Sequence, residues 1–248
     1  MKVKKIKILC FIGARGGSKG IPGKNIRLFN GKPLIAHTIE QALDLKDYID
    51  KVIVSTDSFG IATIAKKYGA EVPFLRPKEL AEDRSNIGDA IVYTIRRLEK
   101  EEKYKPDYIL LLQPTAPLRE REDIIKCIKL IQNKKCDSVI TVCPTNYLFF
   151  NLDSKNKLSV ANDPESKIRV KLNRQSVRPI YTYNGLAYIS ERGVFLKHKT
   201  FLTDNTYAVV CDAWRSVDLD NIEDWILAEF LYKNKKILTH KIKTDNHG

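Results

Sequence analysis

Ile8-Leu9-Cys10-Phe11-Ile12 runs without a break into Gly13-Ala14-Arg15-Gly16-Gly17-Ser18-Lys19-Gly20-Ile21-Pro22-Gly23-Lys24-Asn25. Five consecutive apolar residues stopped by a glycine-rich turn read as a strand buried on both faces. Glycines at 13, 16, 17, 20 and 23 let the following backbone curl around an anion and present its N–H groups. Arg15, Lys19 and Lys24 add positive charge to such a cradle, while Ser18 and Asn25 offer neutral donors. The loop is not a P-loop: Gly23-Lys24 is followed by Asn25 instead of Ser or Thr, and Ser18 stands where the first glycine is required. Nor is it GxGxxG, because two residues separate Gly13 from Gly16. From these residues alone the segment is either a phosphate-binding turn or a tight surface loop.

Outward from this loop, strands and helices alternate. Pro33 opens a helix over residues 34–46, and Val52–Val54 is a second strand ending at Ser55-Thr56-Asp57. Ser58 caps a helix that runs to Lys67 and stops at Gly69; Val72–Leu75 reads as a third extended piece, and a helix follows over 87–102. Tyr108–Leu112 and Ser138–Val142 are strands around a helix at 124–131, with Ala187–Ile189 and Ala208–Val210 as late strands. Asn221 caps a final helix over 222–232, whose apolar side is Ile222, Trp225, Ile226, Phe230 and Leu231. This alternation predicts one α/β domain over residues 1–248, with a mostly parallel central sheet and helices on both faces. Such sheets bind ligands beyond the carboxyl ends of their strands, where the polar motifs fall. Between 144 and 184 the alternation lapses into aromatics and turns, which predicts an inserted excursion.

The formal charge of +13 is concentrated in three places: +4 in residues 1–7, +4 in residues 233–248 and +5 in residues 166–178. Two of these are chain ends. The third, carrying Lys167, Arg169, Lys171, Arg174 and Arg178, points to a small anionic partner. Without aromatic–basic alternation or a recognition helix, no nucleic-acid partner is expected. No apolar run reaches the roughly 18 residues of a membrane span. Five cysteines, an odd number with no CxxC pair, fit a reducing cytoplasm.

The glycine-rich string as a whole resembles the N-terminal motif of the acylneuraminate cytidylyltransferases, the CMP-sialic acid synthetase family. The resemblance continues in order through Leu34-Ile35-Ala36, Ser55-Thr56-Asp57, Arg76-Pro77 and Leu112-Gln113-Pro114-Thr115-Ala116-Pro117-Leu118-Arg119. It resumes at Asn173-Arg174-Gln175, Asn184-Gly185 and Ser216-Val217-Asp218-Leu219-Asp220-Asn221-Ile222-Glu223-Asp224. It implies a Rossmann-like nucleotidyltransferase fold, a homodimer, CTP as substrate and Mg²⁺ or another divalent cation. The implied reaction joins CMP to a nine-carbon 2-keto sugar acid, a sialic acid or related nonulosonate, with loss of pyrophosphate. On this resemblance Arg15 and Lys24 hold the triphosphate, and Ala14, Gly16, Gly17, Ser18, Asn25 and Ser85 contact the nucleotide. Gln113 and Arg174 contact the sugar; Arg169 is added from its charge, because a guanidinium fork matches a carboxylate. Nearby alternatives are a 3-deoxy-octulosonate-activating enzyme and a sugar-phosphate nucleotidyltransferase; a distant one is an RNA-binding protein with a degenerate nucleotide site.

Asp218 and Asp220 are one residue apart, so on an extended chain they share a face, with Val217 and Leu219 on the other. Two carboxylates aimed at an anionic site make sense around a hard divalent cation. The alternative reading is a pocket residue followed by a helix cap. The family resemblance favours metal ligation, with Asp218 the principal ligand and Asp220 either ligand or base-like orienter. His37 falls in an apolar helical pattern and reads as packed, not catalytic. In the resembling family, region 144–184 forms the dimerisation arm and completes the neighbouring subunit's sugar pocket, which would make Tyr147, Phe149, Phe150 and Tyr181 interface anchors.

Overall fold

Alternation along β1 (Ile8–Gly13) organises the computed structural model, which describes residues 6–145, 150–152, 154, 156–160 and 180–239. Ile8, Cys10 and Ile12 pack to one side with α1 (Leu34–Leu43), α2 (Phe59–Lys67) and α4 (Arg121–Asn133). Leu9 and Phe11 pack to the other with α3 (Ile87–Glu101) and α5 (Arg192–His198). A continuous apolar run therefore becomes a strand covered on both faces, as the period-two geometry of a strand requires.

The sheet has six strands: β4 (Lys51–Ser55), β1, β5 (Tyr108–Leu111), β9 (Ile180–Glu191), β6 (Ser138–Thr145) and β10 (Thr206–Val210), from edge to edge. β1 pairs parallel with β4 and β5, and β10 pairs parallel with β6, whereas β9 runs antiparallel to both β5 and β6. The sheet is thus mixed, with five strands in one direction and β9 against them. Short ladders β2 (Leu28–Phe29) with β3 (Lys32–Pro33), and β7 (Phe150–Leu152) with β8 (Leu158–Val160), lie outside it. α6 (Ile222–Lys233) follows the last strand. No helix among the described residues is long and apolar enough to cross a membrane.

Several expectations change. Val72–Leu75 is not a strand: the ladder ends at a single bridge between Ile53 and Glu71, because Pro73 has no N–H with which to continue it. The late strand at 187–189 is part of the twelve-residue β9, with a register shift where Gly185 sits at φ +70°. α6 buries Trp225 and Ala228 and leaves Ile222, Ile226 and Phe230 exposed, so the expected apolar side is split. Within 144–184 the described residues form the ends of β6 and β9 and the β7–β8 hairpin, with no separate arm among them. Tyr147, Phe149, Lys167, Arg169, Lys171, Arg174 and Arg178 lie outside the described residues.

Two buried arginines hold the strand ends in place. Arg119 is fully buried and donates to four acceptors. Nε reaches the Leu186 carbonyl in β9 and Nη2 the Gln113 carbonyl after β5. Nη1 reaches Thr38 Oγ1 at 3.3 Å and Gln41 Oε1 at 3.0 Å, both in α1. Burial lowers its pKa to about 10, and no carboxylate hydrogen-bonds it among the described residues. Arg215 pairs with the buried Asp123 in the first turn of α4, which anchors the chain just before residues 216–220. Asp123 also completes a capping box with Glu120.

Replacing Arg119 by Met would remove four donated hydrogen bonds and strip the buried Leu186 carbonyl of its Arg119 donor, while the Gln113 carbonyl would keep the Ala116 N–H at 3.3 Å. The expected cost is about 3 kcal/mol, read as a fall in the urea midpoint at constant slope. A loss under about 1 kcal/mol would mean that water replaces the Arg119 donors.

Candidate functional site

The carboxyl ends of β1, β4 and β5 lie side by side, since Gly13 pairs with Ser55 and Phe11 with Leu111. The glycine-rich loop leaves β1 there. Ala14 N–H donates to the Ser55 carbonyl at 3.0 Å, and Gly16 N–H donates to Asp57 Oδ1 at 2.9 Å. Asn25 closes the loop by donating from Nδ2 to the Arg15 carbonyl at 3.1 Å, and is itself buried. Gly23, at φ +63°, turns the chain into a short 3-10 turn over Lys24–Ile26, which a side chain would strain. A cavity of about 350 Å³ opens beside the loop.

Six predicted residues line that cavity together: Arg15, Ser18, Lys24, Asn25, Gln113 and Asp220. Lys19, Gly20, Ile87, Pro114 and Thr115 complete much of its wall. Lys24 Nζ donates to the Leu219 carbonyl and lies 3.7 Å from Asp220 Oδ1, so the cation of the loop meets the acidic segment directly. Gln113 follows β5, and its Oε1 lies 3.0 Å from where a Cβ on Gly185 would stand, so glycine there makes room for the amide.

Other predicted residues sit elsewhere. Ala14 is buried, and the Gly16 N–H is directed to Asp57. Gly17 faces a second, shallower cavity between the loop and residues 81–84. Ser85 does not line the 350 Å³ cavity; its hydroxyl donates to the Glu79 carbonyl at 2.7 Å, ahead of the Asn86 cap of α3. Arg169 and Arg174 lie outside the described residues. His37 is buried, with Nε2 2.8 Å from the Phe29 carbonyl and its ring edge-on to Phe29 and Tyr232. Burial depresses its pKa, in keeping with a packed neutral ring.

The acidic pair is arranged differently from an extended DxD. Residues 216–219 are in no strand, and Asp220 N–H donates to the Asp218 carbonyl at 3.1 Å across a tight turn. Val217 and Leu219 do share one side, packing with Ile21, Phe29, Leu34 and Trp225. Asp218 is half-buried beneath the Thr115 turn, and its Oδ1 is buried without a hydrogen-bond partner. Burial raises its pKa first and the Asp220 charge adds to this, while hydrogen bonding from Thr115 opposes it. The Asp220 side chain is 78% exposed and caps nothing. Asn221 Oδ1 accepts from Asp224 N–H at 2.9 Å, and the Asp224 carboxylate accepts from the N–H groups of Asp220 and Asn221. A Cβ on Gly20 would stand 2.0 Å from the Asp220 carbonyl oxygen, so the loop and the acidic turn touch backbone to backbone.

This donor set fits a hard divalent cation. The orphaned Asp218 oxygen lacks a partner, two carboxylates lie close together, and both offer oxygen ligands. No group of three or more His, Cys, Asp or Glu suited to a metal occurs among the described residues. A cation here would thus draw further ligands from phosphate oxygens and water, the habit of Mg²⁺.

Arg76 carries more than its motif suggested. Buried at the end of β4, it donates from Nε to Ser55 Oγ at 3.0 Å and from Nη2 to the Ser55 carbonyl. Burial lowers its pKa to about 10, and Nη2 lies 3.4 Å from where a Gly13 Cβ would be. Asn184 is the other late discovery, donating to Ser216 Oγ at 2.9 Å and so linking β9 to the acidic segment. A cation before proline, and an Asn-Gly inside a strand, were the available signals.

Residues 9–237 match the cytidylyltransferase family. The chain is 36% identical over 230 residues to the CMP-N,N'-diacetyllegionaminic acid synthase of Legionella pneumophila, covering 91% of this chain and 96% of that protein. It is 35% identical over 235 residues to the N-acylneuraminate cytidylyltransferase of Escherichia coli, covering 93% of this chain and 53% of that longer protein. Its fold is similar to that of a CMP:2-keto-3-deoxy-manno-octonic acid synthetase complexed with CTP, at a TM-score of 0.68 and 17% identity, over 92% of this chain and 99% of the other.

Asp218→Asn removes a desolvated charge from the ligand-free protein. A carboxyl whose folded pKa is raised binds more protons folded than unfolded, so stability falls as pH rises through that window. The substitution is expected to stabilise by about 1 kcal/mol at pH 7. The gain should vanish below about pH 4, where the acid is protonated in both states. Asp220→Asn, which removes no cap, is expected to leave the melt unchanged. Thermal melts across pH check both; a stability loss in Asp218→Asn would mean the carboxylate is compensated in the fold.

Proposed function

The chain belongs to the cytidylyltransferase family, as a nucleotidyltransferase of its acylneuraminate and nonulosonate branch, and from that membership we propose that it joins CMP from CTP to a nine-carbon 2-keto sugar acid. The observation that carries this reading is the single cavity wall shared by Arg15, Lys24, Gln113 and Asp220. Cations, a neutral amide and an acid converge there, at the carboxyl ends of parallel strands. The two relatives named above carry the names of two different nonulosonates, which supports the substrate class without selecting a member.

In this reading the anomeric hydroxyl oxygen of the sugar forms the new bond to the α-phosphorus as its proton leaves to solvent, and the bond from that phosphorus to the pyrophosphate oxygen breaks. Arg15 and Lys24 hold the triphosphate and offset the charge that gathers on the departing pyrophosphate. Lys24 is oriented for this by the Leu219 carbonyl, which fixes its ammonium at the junction of loop and acidic turn. Gly20 lines the same cavity, and its lack of a side chain lets the loop backbone meet the acidic turn there. Gln113, backed by Gly185, presents a neutral amide to the nucleotide or sugar. Asp218 and Asp220 would hold a divalent cation, which supplies positive charge to phosphoryl oxygens when bound. The exposed Tyr181 and Tyr183 at the start of β9 are consistent with a homodimer formed through the 144–184 region. Arg169 and Arg174 would then read the sugar carboxylate.

Pyrophosphate release with Mg²⁺ and a panel of sialic, legionaminic, pseudaminic and 3-deoxy-octulosonic acids tests the reading directly. CTP should outpace ATP, GTP and UTP on the preferred nine-carbon acid. Equal rates with all four nucleotides, or turnover confined to the eight-carbon acid, would overturn it. Arg15→Ala and Lys24→Ala should each lower kcat/KM by about 100-fold or more, the loss of roughly 3 kcal/mol of oriented charge. Unchanged turnover in both would move the triphosphate out of this cavity.

A further inference from the structure

Asp83 sits on the turn at 81–84, facing the glycine-rich loop across the second cavity, whose volume is about 640 Å³. Its Oδ1 lies 2.9 Å from Arg15 Nη1, and its Oδ2 pairs with Lys19 Nζ. One carboxylate thus joins the two cations, each through a different oxygen. The side chains of Asp83 and Lys19 are 42% and 79% exposed, so water and salt screen most of the attraction, and such a bridge adds little to folding stability. What it supplies is position.

The turn carrying Asp83 is held by its own hydrogen bonds. Ser85 Oγ donates to the Glu79 carbonyl at 2.7 Å, Ser85 N–H to the Glu82 carbonyl at 3.1 Å, and Ala81 N–H to the Lys78 carbonyl at 2.8 Å. The neighbouring Asn86 caps α3, which ties the frame to the core. The backbone that carries Arg15 is tied at Ala14 and Gly16, so what is left to order is the long side chains of Arg15 and Lys19. Arg15 and Lys19 line both cavities, so they form the wall between Asp83 and the proposed nucleotide site. The Asp83 contact engages a single guanidinium nitrogen, leaving most of the donor fork for a second anion.

We propose that Asp83 is a positioning residue that holds Arg15 and Lys19 together as a preformed anion clamp at the mouth of the nucleotide cavity. The proposal rests on the reading that this cavity takes the triphosphate. Two adjacent long cationic side chains repel and sample many rotamers, and ordering them at the moment of binding weakens affinity. A carboxylate behind them removes both penalties beforehand. The hydrogen bond from Lys19, with the charges of Lys19 and Arg15, holds the Asp83 carboxyl below its ordinary pKa, so it remains ionised at neutral pH.

The test is CTP titration of the full chain by calorimetry without sugar, alongside steady-state kinetics. Asp83→Asn should weaken CTP binding and raise its KM by about threefold to fivefold, the range of an exposed ion pair, with kcat within about twofold. Asp83→Glu should recover most of the affinity, and thermal melts of both variants should match the parent. In an Arg15→Ala/Lys19→Ala background, Asp83→Asn should have no further effect, because the cations it positions are gone. An equal effect in both backgrounds, or no effect in the parent, overturns the proposal. Tighter CTP binding in Asp83→Asn also overturns it, by making the carboxylate a competitor of the triphosphate. If Arg15→Ala/Lys19→Ala itself binds CTP as the parent does, the nucleotide assignment fails first and the clamp with it.

Discussion

The guanidinium of Arg119 is the constraint on which the site end of the sheet depends. Its acceptors belong to α1, to the turn after β5 and to β9, three elements far apart in sequence. Gln41 returns a bond from its amide to the Arg119 carbonyl at 2.8 Å, so the residue is held at both ends. A buried cation without a carboxylate partner is costly, and it persists only where every donor finds an acceptor. That requirement fixes the Gln113 turn against β9. It thereby brings Gly185 beside Gln113, and the Asn184 link to Ser216 follows from the same placement.

A second buried pair extends the arrangement to the acidic segment. Asp123 caps α4, accepts from Arg215 and also receives the Cys211 thiol at 3.4 Å. The chain leaving β10 is therefore anchored before it reaches Asp218. Leu219 then buries itself with Trp225 and Phe29, and Leu219 N–H donates to the Thr115 carbonyl at 2.9 Å. Backbone anchoring on both sides explains how the short segment at 216–220 holds two carboxylates near a cationic loop without a strand beneath it.

Much of this was legible in the chain itself. Ile8–Ile12 and Tyr108–Leu112 announce buried strands by unbroken apolar runs, and Ser58 and Asn221 announce helix starts by capping chemistry. The glycine-rich loop and Gln113 were recognisable as neighbours because they follow strands that end at one edge, and the family resemblance brought Asp220 to them. What escaped was set by contacts distant in sequence. The direction of β9 depends on its two neighbours, and its polar start at Tyr181–Asn184 hides its length. Val72–Leu75 looked extended because its residues are apolar, but a proline withholds the bond that a ladder needs. The alternative reading of Asp220 as a cap does not hold, because Asn221, expected as the cap, shares that task with Asp224. Arg119, Arg76 and Asp83 gave little sign of their roles, since a lone charged residue in sequence does not reveal what it will face.

The contact between Gly20 and the Asp220 carbonyl has one more consequence. With no side chain between them, the glycine-rich loop and the acidic turn pack backbone to backbone, so a displacement of either must be accommodated by the other. Two ligands that settle on such a body are bound by thermodynamic reciprocity. Whatever factor a cation at the carboxylates adds to the affinity for a nucleotide in the loop, the nucleotide returns to the cation in equal measure. A glycine with no bulk thus sits at the seam where the strength of one ligand's binding would be returned to the other.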